Sequence, residues 1–322
     1  MLRPLPGGGR GGAPVRDGAP VRGGRAAALG YLLDRAVGEP PARLHPVAGF
    51  GALMGRAERR CYRPTRPAGV AYAGTGLLAA AAGAALVPSV TAWCYLALGG
   101  RSLESAAMAV AEALAQGDLP RARSLLPALV GRDVAQLDAA GIARAVVESV
   151  AENTNDAVVA PLCYAATGRP LLVAVHRAAN TMDAMVGYRD ERYRRFGWAS
   201  ARLDDVLGYL PARVTALAVL LARPSRAGAV VRSLRRDAPH HPSPNGGVAE
   251  AAFAAALGLR LGGPASYGGV AETRPLLGDG RPPEPADLAA ALDLARDVGR
   301  LVAAAAALLS AGRARLGGRR RG

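Results

Sequence analysis

Lysine is absent from this chain, so all 40 of its strongly basic residues are arginine. That excludes Schiff-base chemistry and the phosphate loop that ends in Gly-Lys-Ser or Gly-Lys-Thr. Cysteine is scarce: Cys61, Cys94 and Cys163 are widely spaced, which excludes a disulfide framework or a thiolate zinc cluster. Aromatic residues make up only 4% of the chain and do not alternate with the terminal arginines, so the arginines do not read as a base-stacking surface. Histidine is limited to four residues. The adjacent pair His240-His241 would point in opposite directions in a strand and is a weak metal signature. What the chain does have is alanine, leucine and valine, with 51% hydrophobic residues, 41 glycines and 24 prolines.

The formal charge of +15 points to anionic partners. Much of it is terminal: Arg3, Arg10, Arg16, Arg22 and Arg25 at one end, and Arg313, Arg315, Arg319, Arg320 and Arg321 at the other. Such ends suit the cytoplasmic side of a membrane protein. Residues 1–25 read as a disordered arginine- and glycine-rich tail, 26–312 as the folded domain and 313–322 as a basic tail. Ala26–Ala36 is short and carries Asp34 and Arg35, which argues against a cleavable signal peptide.

Thirty-four residues without charge, Pro67–Gly100, carry the strongest membrane signal. A span needs roughly 20 residues, so this stretch makes one long tilted helix kinked at Pro88 or two helices in a tight hairpin. Later apolar segments are interrupted: Ala157–Val175 by Arg169, and Val206–Ala222 by Arg213, while Leu301–Gly312 is short. An arginine midway along a span must face protein or water. The fold class expected is all-α, a multipass integral membrane helical protein with polar segments at the cytoplasmic face.

Four polar clusters carry the candidate chemistry. Glu148, Glu152 and Asp156 recur every four residues and share a face if the segment is helical. Their repulsion asks for an arginine, a cation or a water-filled cleft, and magnesium takes oxygen ligands of this kind. His176, Asn180 and Asp183 form a second face, where His176 is a ligand, a proton carrier or a packing residue. Gly187–Trp198 mixes arginines, acids and aromatics, suited to phosphate or carboxylate recognition or to interfacial anchoring. Asp204-Asp205 follows, with Asp204 a helix cap and Asp205 the freer cation candidate. Finally, Asp237–Gly247 is a proline- and glycine-rich turn that could present N–H groups to an anion before a helix starting near Val248.

Three strings add specificity: ESVAENTNDAVVAP at 148–161, HRAANTMDAMVGYRDERYRRFGWASARLDDVLGY at 176–209 and DAPHHPSPNGG at 237–247. With Gly38-Glu39-Pro40, His45-Pro46 and GLRLGG at 258–263, they resemble the adenosylcobinamide-phosphate synthase family of cobalamin biosynthesis. Glu39 stands where that family commonly has aspartate, and Gly246 where it has alanine. The resemblance implies a multi-pass cell-membrane ligase that uses ATP and Mg²⁺. It would amidate a propionate of adenosylcobyric acid with (R)-1-amino-2-propanol or its O-phosphate.

On this reading Glu152, Asp156 and Asp183 hold the metal. Arg177, Arg189, Arg192 and Arg202 balance anionic charge, and Asn153, Asn180, Ser243 and Asn245 orient substrates. His176, Asp205 and Glu148 serve as catalytic groups. The expected partners are the two substrates, the lipid bilayer and other cobalamin-pathway membrane enzymes, with no nucleic acid. A transporter or sensor would use the same intramembrane charges for a substrate path.

Overall fold

The architecture comes from a computed structural model. It describes residues 19–41, 43, 45–188, 190–267 and 269–319, with backbone only at 19–22 and 312–319. Helix α1 spans Ala19–Val37 and thus begins inside the segment expected to be a tail. The arginines at 3, 10, 16, 320 and 321 lie outside the described residues. Next come α2 (Pro46–Cys61), α3 (Arg66–Leu86) and α4 (Val90–Ala97).

Helix α3 starts where Thr65 Oγ1 accepts the Ala68 N–H and Pro67 occupies the first turn. Its inward face is built of small residues, among them Gly69, Ala73, Gly76 and Ala80. These let neighbours approach closely: a Cβ on Gly69 would lie 1.9 Å from the Phe196 carbonyl oxygen, and one on Gly76 2.3 Å from Met182 Sδ. The outward face carries exposed Val70, Leu78 and Leu86. Pro88 breaks the charge-free run, and Ser89 Oγ caps α4 by accepting the Ala92 N–H. Of the two forms open for this run, the structure has the broken one, but α4 is a return of eight residues, about 12 Å long. It is too short to cross a bilayer.

After α4 come α5 (Gly100–Ala115), α6 (Leu119–Leu125) and α7 (Ala139–Thr154). Asp118 and Asp138 cap the last two by accepting from Arg121 N–H and Gly141 N–H. Helix α7 widens into one π-helical turn at Asn155–Val159 before α8 (Ala160–Ala166). The segment read as Ala157–Val175 is not one span. Gly168 adopts φ of 75°, and Pro170 starts a separate helix, α9 (Pro170–Val186). Helix α9 lies centrally, packed against α2, α3, α4 and α8.

A single turn, α10 (Tyr193–Phe196), leads into α11 (Trp198–Ala222), which also packs on α9. Arg213 does not interrupt α11. Its guanidinium donates to Pro244 O at 3.2 Å and Asn245 Oδ1 at 3.1 Å and lies over the Tyr209 ring at 3.6 Å, so the charge faces protein. Among the described residues, α3 and α11 are long and apolar enough to cross a membrane. Only 33% and 39% of their most apolar stretches are buried, unlike the core helices of a soluble protein. On α11 the exposed stripe is Val206, Tyr209, Leu210, Leu217 and Leu221.

Helices α12 (Ala227–Arg236) and α13 (Gly246–Leu257) follow, and α13 ends at Gly258 with φ of 70°. An antiparallel hairpin, β1 (Leu261–Tyr267) and β2 (Val270–Leu277), then departs from the all-helical expectation. Its register shifts between Leu261 and Gly263, where Gly262 and Gly263 take φ of 82° and 90°. The last helix, α14 (Asp287–Arg319), absorbs the short apolar stretch 301–312 into 33 residues and packs on α1, α7 and α11.

Candidate functional site

Acidic side chains from three helices converge beside the π turn. Asp156 is held from both sides: Asn155 Nδ2 donates to its Oδ1 at 2.7 Å and Asn180 Nδ2 to its Oδ2 at 3.2 Å. Asn180 Oδ1 in turn accepts from Arg177 Nη1 at 3.3 Å. The N-terminal motif reaches the same place. Gly99 N–H donates to Ala157 O at 3.0 Å, and a Cβ on Gly99 would lie 2.9 Å from Glu39 Oε1, so Glu39 sits beside the π turn. Glu39 also faces His45 at 3.8 Å.

Glu152, one turn before Asp156, is reached by water yet enclosed by protein, as a group lining a cleft is. Burial, and then the charges of Asp156 and Asp183, push its carboxyl up to about 7 against the opposing pull of Arg274 and Arg132. Burial followed by the charges of Asp205 and Asp156 pushes Asp183 up to about 6. Asp156 is raised by burial, with the two asparagine bonds and Arg177 opposing. Asp204 joins this group electrostatically. It lies within α11 rather than capping it, because the helix has already started at Trp198.

A second wall comes from the Asp237–Gly247 turn, expected from the sequence, together with α13 and the hairpin, which the sequence reading missed. A Cβ on Gly246 would sit 3.4 Å from Glu152 Oε1, His241 Cε1 and Ser243 Oγ, so these groups surround one point. His241 Nε2 is 3.5 Å from the buried Glu250, whose carboxyl burial and the charges of Glu148 and Glu152 hold well above the usual range. Arg274 of β2 approaches His241 at 3.4 Å and donates to the Tyr267 hydroxyl at 2.8 Å. A lone acid in the apolar string of α13 was the one available signal for Glu250; Arg132, Tyr267 and Arg274 had none.

Several expected site residues have other work. Glu148 is not open to substrate: Arg132 pairs with its Oε2 at 2.5 Å and Gly262 N–H donates to its Oε1 at 2.8 Å, anchoring the hairpin. His176 takes the packing role, buried and stacked on Tyr164 with ring centroids 5.1 Å apart. Arg192 lies on an outer surface, paired with Glu58 at 3.1 Å and over the Tyr62 ring at 4.3 Å, since the carboxylate and ring on α2 satisfy it there. Asn153 turns back onto Ser149, and Ser243 Oγ caps the start of α13 by accepting the Gly246 N–H at 3.0 Å. Asn245 ties α13 to α11 through the Asp205 carbonyl at 2.8 Å. Arg202 and Asp205 pair at 3.4 Å, with Arg202 exposed at the rim. Arg189 lies outside the described residues.

Among the described residues, no three His, Cys, Asp or Glu side chains converge closely enough to enclose an ion. Glu152, Asp156 and Asp183 therefore do not form a closed protein-ligated site. The surplus of coupled negative charge nevertheless suits a cation that takes one or two carboxylates and completes its shell with water and phosphate oxygens, as Mg²⁺ does.

An apolar helical body with two helices able to cross a membrane, and a cleft of coupled acids edged by arginines, defines a helical protein equipped to handle anionic ligands. The chain belongs to the CobD/CbiB family of cobalamin-biosynthesis proteins, whose profile, described as CobD/Cbib protein, matches residues 27–295. That interval contains every side chain of the cleft. The cobalamin biosynthesis protein CobD of Mycobacterium tuberculosis is 48% identical over 295 residues, covering 88% of this chain and 93% of its own length. The CobD proteins of Chromobacterium violaceum and Rhodobacter capsulatus are 46% and 42% identical over 285 residues, covering 83% and 82% of this chain and 90% of their own lengths. No solved structure matches the chain.

Proposed function

We propose that the protein is a multi-pass membrane ligase that amidates a propionate side chain of adenosylcobyric acid. The amine is (R)-1-amino-2-propanol or its O-phosphate, and ATP drives the reaction. The observation that carries this reading is the gathering of Glu152, Asp156, Asp183 and Asp204 close enough to feel one another's charge, with Arg177 and Arg274 beside them. Family membership supplies the pathway.

A carboxylate resists attack by an amine because it is already negative, so it must first be activated. In the route we favour, a propionate oxygen attacks the γ-phosphorus of ATP, the bond to the bridging oxygen breaks and ADP leaves. The amine nitrogen then attacks the acyl carbon, inorganic phosphate departs with the former carboxylate oxygen, and the ammonium loses a proton. When bound, Mg²⁺ would supply positive charge against the phosphates, held by one or two of the carboxylates of Glu152, Asp156 and Asp183. Arg274 balances the remaining charge at the hairpin wall, and Arg177, acting through Asn180, keeps Asp156 oriented. We assign acceptance of the ammonium proton to Asp205, at the rim beside Arg202, rather than to His176, which is buried against Tyr164.

The test is incubation of detergent-solubilised protein with adenosylcobyric acid, ATP, Mg²⁺ and each amine, followed by product mass measurement. One of the amide masses, formed only with ATP, is expected. No amide with either amine, or amide without ATP, would overturn the proposal.

A further inference from the structure

Helix α9 has two working faces. Asn180 and Asp183 serve the acidic cleft, whereas Ala174, Arg177, Ala178 and Thr181, spaced at three, four and seven residues, line a separate crevice against α2, α3 and α4. The crevice has a volume of about 260 Å³, too small for a tetrapyrrole-sized ring. Its walls are apolar, with Phe50, Leu53, Ala79, Gly83, Trp93 and Leu96 prominent, and Arg177 is the one charged side chain lining it. Arg177 Nη1 donates to Asn180 and the guanidinium feels the charges of Glu39 and Asp156, but among the described residues no salt bridge closes on it and its buried Nε has no hydrogen-bond partner. A buried guanidinium left short of acceptors is costly and asks for an anion. Space remains on the α2 side, because a Cβ on Gly49 meets nothing within 4 Å.

We infer that this crevice holds the glycerol-proximal part of an acyl chain of an anionic phospholipid whose phosphate lies against Arg177. The inference rests on the membrane reading above. Helix α3, which forms one wall, is long and apolar enough to cross a bilayer and exposes Leu78 and Leu86 on its outer face. A lipid chain beside that face matches the apolar walls, and its phosphate supplies the acceptors that Arg177 lacks. The amine substrate, small and polar throughout, matches the walls poorly. Through Asn180, Arg177 is one hydrogen bond from the group that holds Asp156, so the bound phosphate steadies the cleft from behind.

The test reconstitutes the full-length protein into nanodiscs containing equal parts phosphatidylglycerol and phosphatidylcholine, re-extracts it in mild detergent and measures retained lipid by native mass spectrometry. Wild type should retain phosphatidylglycerol over phosphatidylcholine by about fivefold, the weight of one arginine contact with an anionic lipid. Arg177→Gln should keep the lipid but lose the preference. Gly49→Leu should expel it, and Ala79→Leu, which fills the same space from α3, should act in the same direction. Equal retention of the two lipids by wild type, a retained non-lipid anion, or unchanged retention in both filled variants would overturn the inference. Alkaline carbonate washing of cell membranes separates the two readings. A chain that stays in the pellet yet retains no phosphatidylglycerol refutes the crevice assignment alone, whereas release into the supernatant refutes the membrane reading as well.

Discussion

Replacing Glu148 with alanine removes the partner of a buried arginine and the acceptor for a strand N–H in one step. The side chains of Arg132 and Glu148 are only 12% and 7% exposed, so the pair is buried rather than screened at a surface. Leaving Arg132 uncompensated costs about 3–5 kcal/mol, whereas replacing both members by apolar residues removes that term. What then remains is the unpartnered Gly262 N–H, at about 1–3 kcal/mol. Glu148→Ala should therefore be the less stable variant, and Arg132→Met/Glu148→Leu should recover part of the loss. Denaturant unfolding in detergent measures both, with hydrogen exchange at the Gly262 amide reporting the hairpin directly. The same pair of variants separates structure from catalysis: an anchoring Glu148 lets the double variant regain amidation, while a proton-carrying Glu148 leaves both inactive. A Glu148→Ala protein within about 1 kcal/mol of wild type, below the cost of an orphaned buried charge, would refute the reasoning.

Asp156→Asn should keep one of its two asparagine contacts, because its new NH2 group meets an amide donor at the other, and should insert normally while losing about 100-fold or more in ATP-dependent amidation with the charge gone; near-normal turnover ends its proposed role. Glu152 and Asp183 bind protons more tightly in the folded state, with carboxyls near 7 and 6 against unfolded values of 4.5 and 3.8. Without metal, the contribution of these two groups to stability should thus fall as pH rises through those windows, and Mg²⁺ should raise the unfolding temperature more at pH 8 than at pH 6. A Mg²⁺ effect independent of pH contradicts this, and Glu152→Gln should shrink the difference. Arg192→Gln should change amidation kinetics less than about twofold, because the side chain serves an outer ion pair screened by solvent; a large rise in KM would return it to the site.

Much of the helical body was legible because its signals are local. The charge-free run and the break at Pro88 follow from residues at readable positions, whereas Arg169 marked an interruption in 157–175 without showing that Gly168 and Pro170 divide it into α8 and α9. The acidic ladder was legible only in part. An uninterrupted α-helix sets Glu148, Glu152 and Asp156 on one face, but the π turn re-aims Asp156 toward α9, and Glu148 is drawn to the hairpin. The hairpin itself left little trace, since its strands are short, contain Pro264 and Pro275 and face solvent along much of their length. Arg274 is paired with the acids of α7 by topology across more than a hundred residues, a relation no local periodicity encodes. Arg192 and Ser243 misled for the opposite reason: their residue types suit phosphate binding, but Glu58 and the α13 amide ends lay closer.

In the proposed reaction ATP activates the carboxylate before the amine attacks it. Adenosylcobyric acid carrying ¹⁸O in the reacting propionate tests this most directly. The released inorganic phosphate should carry one labelled oxygen for each amide formed; amide accumulating while phosphate and nucleotide both stay unlabelled would contradict the account.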